Sequence, residues 1–250
     1  MLILLAPSEG KTAPASGPPL DLATLTHADE LTAARERVLK ALVRLSAGRS
    51  RKRALDALGL AKTQAGELER NAALFDAPTA PAAEVYTGVL YQHLALASLG
   101  KRARSRAADS VLVASALFGV VGLDDPIPAY RLSMGARIPA LRKGLPALWR
   151  PALAGALPDE AGELVLDLRS GSYAAAWTPR NATVVSIRAV TPAGKVISHM
   201  AKATRGRVAR AVLEARSVPR EPEAVAALAG PGATVSESGG AWTVEVVEPG

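Results

Sequence analysis

The chain has 250 residues, 49% hydrophobic and 21% charged, the balance of a folded globular protein rather than a disordered one. It contains no cysteine, which excludes disulfides, thiol catalysis, iron–sulfur clusters and Cys-bound zinc. A formal charge of +7 favours anionic partners, although 22 arginines against 8 lysines in an Ala-rich chain is also what a GC-rich genome produces.

Residues 2–6 read as a short buried strand, followed by a Pro- and Gly-rich loop to Pro19. Helices are expected over 28–46 and 50–58. In the first, Leu31, Ala34, Val38, Ala41 and Leu45 recur at spacings of three and four, leaving Arg35, Arg37, Lys40 and Arg44 for the solvent face. Another helix spans 62–75, and Val85-Tyr86-Thr87-Gly88 leads into one near 89–99. Val111–Ala114 is apolar throughout and reads as a central strand. Residues 119–150 read as irregular, and a helix over 146–157 opens on proline. Strands are expected at 163–168, 183–190 and 195–198, the last two joined by the turn Thr191-Pro192-Ala193-Gly194. A helix over 200–216, a short helix over 221–228 and a hairpin turning at Ser238-Gly239-Gly240 complete the chain. Without an internal repeat or a linker, this is one mixed α/β (α+β) domain covering residues 1–250.

The opening Met-Leu-Ile-Leu-Leu-Ala is too short for a signal sequence, and no apolar run approaches the roughly 18 residues of a membrane span. A cytoplasmic protein without membrane contact is expected. His27, His93 and His199 lack metal-ligand spacing, so no metal and no cofactor is expected, with His27 and His93 placed on helix surfaces.

Five constellations could carry chemistry. Ser8-Glu9-Gly10-Lys11-Thr12 ends like a phosphate-binding loop, but Leu5 stands where that loop needs glycine and a proline-rich stretch follows instead of a helix. A Ser and a Lys at the end of a central strand still offer an anion site. Leu55-x-x-Leu58-Gly59-Leu60-Ala61 with Ala65 reads as a helix-hairpin-helix-like element within about 50–75. That motif aims backbone N–H groups at a phosphate; the alternative is a packing corner with a solvated basic face. Its DNA-contact candidates are Arg51, Lys52, Arg53, Gly59, Leu60, Lys62 and Thr63. On the helix from 200, the core-facing arc is Ala201, Thr204, Val208, Ala211, Val212 and Ala215. Lys202, Arg205 and Arg216 flank it, while Arg207 and Arg210 read as solvated. Asp167-Leu168-Arg169-Ser170-Gly171-Ser172-Tyr173 exposes hydroxyls after a strand, where ligands of α/β sheets sit. Pro128-Ala129-Tyr130-Arg131-Leu132-Ser133-Met134-Gly135 offers Tyr130 and Arg131 to a carboxylate or phosphate.

Taken together, MLILLAPSEGKT, VYTG at 85–88, VLVASALFGVVGLDDPIPAYRLSMG at 111–135, LDLRSGSY at 166–173 and GKVISHMAKATRGRVAR at 194–210 resemble the YaaA family of peroxide-stress proteins. The resemblance runs from residue 1 to about 248. It implies a compact mixed α/β body with a helix-hairpin-helix element and a positively charged cleft. It also implies resistance to hydrogen peroxide by limiting free iron, and DNA binding. The family's motif positions fall on Ser8, Lys11, Tyr86, Tyr130, Arg131, Met134, Gly135, Ser170, Tyr173, Lys202, Arg205 and Gly206.

Two functions stay open at this point. One is a DNA-binding stress protein that uses its basic cleft and hairpin on double-stranded DNA; low aromatic content argues against single-strand stacking platforms. The other is an enzyme acting on a small anionic or nucleotide-like substrate in a cleft of Ser8, Lys11, Thr12, Tyr86, Tyr130, Arg131, Ser170, Tyr173, Lys202 and Arg205. There, Lys11 or Lys202 would serve as base or nucleophile, with Ser8 and Tyr130 beside them. A third reading is a scaffold whose polar motif residues only stabilise irregular loops.

Overall fold

Strand β1 (Leu2–Leu5) is buried at all four positions, as a continuous apolar run flanked on both sides by parallel strands must be. The computed structural model describes residues 1–198 and 200–248; the His199 of the sequence reading lies outside the described residues. After β1 come helices α1 (Ala28–Ser46), α2 (Arg51–Leu58) and α3 (Gly66–Ala72), then the short strand β2 (Ala80–Pro81). Helices α4 (Ala82–Val85), α5 (Val89–Leu94) and α6 (Lys101–Ser110) lead to strands β3 (Val111–Ser115), β4 (Gly119–Gly122) and β5 (Pro126–Ile127). Helix α7 (Leu145–Ala156), strand β6 (Leu164–Leu168), helix α8 (Gly171–Ala174) and strand β7 (Thr183–Val190) follow. Helices α9 (Ala201–Glu214) and α10 (Pro222–Ala229) and the hairpin β8 (Thr234–Ser238) and β9 (Ala241–Val247) close the chain.

The main sheet has the order β4-β3-β1-β6-β7-β9-β8. Its five inner strands are mutually parallel, and β4 and β8 pair antiparallel at the two edges. β2 and β5 form a separate antiparallel pair. Helices α5, α6, α9 and α10 pack on one another and reach β3, β7 and β9, while α1 packs with α2, α3 and α7. One hydrophobic core joins both groups to the sheet.

Several expectations change. The region 119–150 is not wholly irregular, because Gly119–Gly122 pairs with β3 and its four residues are all buried. The expected strand at 195–198 reduces to a single bridge between Val190 and Val196. The helix expected over 62–75 divides into a 3-10 turn at Lys62–Gln64 and α3; that over 89–99 breaks at Ala95, which adopts a left-handed conformation. Helix α6 has no hydrophobic stripe to signal it, since only Ala103 and Ala107 of its ten residues are buried. His93 is exposed on α5, and His27 is the half-buried N-cap of α1.

The largest correction concerns charge. Arg35 is fully buried, not on the solvent face of α1. Its guanidinium donates to the carbonyls of Phe118 (3.1 Å), Thr26 (2.6 Å) and Val120 (2.9 Å), tying α1 to the β3–β4 turn. Three carbonyl acceptors make the burial of a planar five-donor group tolerable. The buried stripe of α1 therefore runs through Leu31, Arg35, Val38 and Leu42. Arg207 and Arg210 are likewise engaged. Arg207 pairs with Glu248, and Arg210 donates to the carbonyls of Leu94 and Ala95, which end α5. Arg106 donates to the last carbonyls of α9, at Val212, Leu213 and Ala215. Part of the basic charge, Arg106 and Arg210, thus holds helix ends.

Candidate functional site

The connection after β1 leads to β3 on one side, whereas β6, on the other side of β1, leads outward to β7. Between the carboxyl ends of β1 and β6 the chain therefore parts in two directions, which leaves the crevice where open α/β sheets bind ligands. A cavity of about 640 Å³ occupies this place. It gathers the loop Ala6–Lys11 after β1, Ser170, Ser172 and Tyr173 after β6, Thr87–Tyr91, Arg131–Gly135, and Lys202 and Arg205 from α9.

Of the candidates from sequence, Ser8, Lys11, Arg131, Ser170, Tyr173, Lys202 and Arg205 line this single cavity. Tyr86 and Tyr130 lie buried beneath Lys11, and Thr12 falls outside the lining, exposed, with its backbone N–H donating to the Val85 carbonyl. Arg216 is exposed and is absent from the lining as well. The DNA-contact candidates lie apart from the cavity, on α2 and the segment that follows it.

Lys11 is held by its backbone, through a bridge to Tyr86, and by its side chain. The Nζ donates to the Ser8 carbonyl at 2.7 Å and sits 4.2 Å from the Tyr130 ring centroid and 5.3 Å from that of Tyr86. The ring faces attract the cation but do not replace its hydration. Burial, aided by the nearby Arg131 guanidinium, pulls the Lys11 amine down to about 7, against the opposing pull of Glu67 and Glu9.

The tyrosine floor is a hydrogen-bonded chain. The Tyr86 and Tyr130 hydroxyls are 2.9 Å apart, and Tyr130 is 2.7 Å from Ser115 Oγ, which accepts from the N–H groups of Leu117 and Phe118. Burial raises both phenols well above the ordinary value, so they stay protonated. Tyr173 is pushed up to about 12, chiefly by burial.

Ser8 Oγ donates to the Gly10 carbonyl (2.5 Å) and accepts from the Thr87 N–H (3.0 Å). Both contacts shape the loop, and its proton is already engaged. Arg131 Nη2 donates to Glu9 at 2.7 Å. The Arg131 backbone is clasped by the buried Asn71 of α3, whose amide donates to the Arg131 carbonyl and accepts from its N–H. Arg205 is different, because its Nε is buried without a hydrogen-bond partner among the described residues. Burial lowers its pKa, and Asp167 pulls the other way. Lys202, one turn earlier on α9, is exposed at the rim.

Sequence reasoning missed Tyr91, which lines the cavity, stacks on Tyr86 and donates to the Ala6 carbonyl at 2.9 Å. It also missed Asn71 and Ser115, whose roles come from contacts distant in sequence. Gly206 has a packing role: a Cβ there would come within 2.3 Å of the Leu90 carbonyl, so α9 meets α5 at this point only because the residue is glycine.

Chemically, the cavity presents an amine near neutrality, three further cationic groups in Arg131, Lys202 and Arg205, and the protonated phenols of Tyr91 and Tyr173. Among the described residues, no cluster of His, Cys, Asp or Glu could hold a metal ion. No helix among them is long and apolar enough to cross a membrane.

The helix-hairpin-helix reading is not established by the geometry. Gly59 ends α2 in a left-handed conformation, as that turn needs, but Glu67 and Glu69 occupy the first turn of α3, where a phosphate would approach. Glu69 also pairs with Arg51 at 2.9 Å.

A family model described as "Peroxide stress protein YaaA" matches residues 1–237. A UPF0246 protein of Streptomyces coelicolor is 47% identical over 260 residues, covering 99% of this chain and 98% of its own. A UPF0246 protein of Corynebacterium efficiens is 39% identical over 253 residues, covering 99% and 96%. An uncharacterized protein of Campylobacter jejuni is 38% identical over 135 residues, 53% of each chain. Match and coverage together establish that this chain belongs to the YaaA family of peroxide stress proteins.

Proposed function

We propose that this protein serves peroxide stress by binding, and acting as an enzyme on, a small anionic, nucleotide-like substrate in the cleft between β1 and β6. The observation that carries this reading is the convergence of Arg131, Lys202 and Arg205 with the Lys11 amine on one cavity, where Arg205 also has its Nε buried without a partner among the described residues. Lys11, Arg131, Lys202 and Arg205 face a single carboxylate, Glu9, in this lining, and an anionic ligand offsets the mutual repulsion of the cations. The cavity of about 640 Å³ suits a ligand of nucleotide size. The role of the cleft is tested by thermal shift and titration calorimetry against nucleotides, sugar phosphates and small carboxylates. Saturable binding that is lost in Arg205→Met and weakened in Lys202→Ala is expected. Failure of every anion to bind would remove the reading.

The exposed Lys52, Arg53, Lys62 and Thr63 favour a second reading, contact with double-stranded DNA in the cytoplasm and protection of it from iron-dependent damage. Binding of this kind falls steeply with salt because neutralised phosphates release counterions. Fluorescence anisotropy with labelled duplex at two salt concentrations, comparing wild type with Arg53→Ala/Lys62→Ala, decides it. Absent or salt-independent binding counts against a DNA role, and loss confined to the double variant supports it.

A further inference from the structure

Of the two lysines that line the cleft, Lys202 is exposed and Lys11 is the one drawn out of solvent. Its Nζ faces the rings of Tyr130 and Tyr86, its side-chain hydrogen bond goes to the Ser8 carbonyl, and no carboxylate forms an ion pair with it among the described residues. The bridge to Tyr86 and the Thr12–Val85 backbone hydrogen bond fix the loop that carries it, so the amine is oriented before any ligand arrives. An amine desolvated beside another cation is a nucleophile toward carbonyl carbon. Lys202 and Arg205 line the same cavity and can hold an anionic group of the compound attacked.

Building on the anionic-ligand reading, we propose that Lys11 is a covalent attachment point that condenses with the carbonyl of a small compound carrying a carboxylate or phosphate. The unprotonated Nζ adds to the carbonyl carbon, forming the C–N bond of a carbinolamine while the oxygen takes a proton. The oxygen then departs as water with the two hydrogens of the amine, leaving an imine between Lys11 and the former carbonyl carbon. No oxidant or reductant is consumed. The shift of the Lys11 amine toward neutrality leaves a substantial unprotonated fraction at cellular pH.

Two probes separate the anion classes: pyruvate, a carboxylate, and pyridoxal 5′-phosphate, a phosphate-bearing aldehyde. Each is incubated with the whole protein near neutral pH, the imine is reduced with borohydride, and the adduct is located by peptide mass mapping. Expected is an adduct at Lys11 at least about tenfold above any other lysine, faster as pH rises through about 7. It should be absent in Lys11→Arg, whose fold is checked by circular dichroism. Whichever probe labels Lys11 identifies the anion class preferred. With Arg205→Met, labelling by the charged probe should fall while labelling by neutral propionaldehyde persists at Lys11. Adducts spread over exposed lysines such as Lys52 and Lys62, or unchanged in Lys11→Arg, would overturn the proposal. Calorimetry with lactate and pyridoxine 5′-phosphate, which lack the carbonyl, keeps the two readings distinguishable. Binding of these without trapping removes the imine and leaves the anion site standing.

Discussion

The ammonium of Lys11 lies 4.2 Å from the ring centroid of Tyr130, with the Tyr130 hydroxyl turned away into the hydrogen-bonded chain through Ser115 and Tyr86. The amine meets a π face and its phenolic neighbours stay protonated. The unfolded chain keeps the Lys11 proton up to its ordinary 10.5, the folded one only to about 7. Between those values the unfolded state binds more protons, so stability rises with pH. Below about 7 the penalty is constant, and above 10.5 it is gone. The slope from this one group is at most about 1.4 kcal/mol per pH unit, less where water reaches the amine. Urea unfolding of wild type and Lys11→Met at pH 6, 7.5 and 9 isolates it. The variant should be the more stable at pH 6, with the difference shrinking toward pH 9. A pH-independent difference would contradict this account of the amine.

Arg205 tests the site from the opposite side. With its Nε unpartnered, Arg205→Met should leave the free protein as stable as wild type or more so, by up to about 1 kcal/mol, because the variant removes a desolvated charge. The increase in Tm that a bound anion gives wild type should vanish in the variant. A large loss of stability without any ligand would instead assign the guanidinium a structural role.

Gly206→Ala places a Cβ 2.3 Å from the Leu90 carbonyl and 2.9 Å from His93 Cβ, where backbone cannot retreat. The helices α9 and α5 must separate, at a cost of about 2–3 kcal/mol. The midpoint of urea unfolding should fall accordingly, and anion affinity should weaken because α9 carries Lys202 and Arg205. Retained stability would mean that the two helices can part without loss.

Arg35→Met leaves the carbonyls of Phe118, Thr26 and Val120 without their buried donor. A loss of about 3–4 kcal/mol in urea unfolding is expected. Arg35→Lys should recover only part of it, since a single ammonium cannot span the positions reached by the planar fork. A surface-like change below about 0.5 kcal/mol would show that the buried guanidinium does not hold the β3–β4 turn to α1.

The elements that declare themselves in the sequence are those whose burial is periodic. β1 is apolar throughout and β3 is apolar up to Ser115, and α1 and β7 fall at the residues expected, 28–46 and 183–190. The elements that stay hidden lack that signal. α6 carries charges around two buried alanines, and β4 is a Gly-Val-Val-Gly segment that becomes a strand only because β3 offers it a buried edge. Arg35 shows the same limit for a side chain: its spacing fits either face of α1, and the inner one is fixed by the Thr26 carbonyl together with the carbonyls of a turn more than eighty residues away.

The sequence alone settles the class and the family. Hydrophobic periodicity and strand-end motifs are local, and the combination of those motifs runs almost the length of the chain. It also names most of the polar side chains of the cleft. What only the tertiary structure decides is their grouping and their chemistry. The strand order puts the ends of β1 and β6 side by side, so Ser8 and Lys11 meet Ser170 and Tyr173 across one cavity, and α9 brings Arg205 to it. The basic charge is divided there too. Arg106 and Arg210 donate to the carbonyls that end α9 and α5, while burial, which no local pattern encodes, leaves Arg205 short of an acceptor and draws the Lys11 amine toward neutrality.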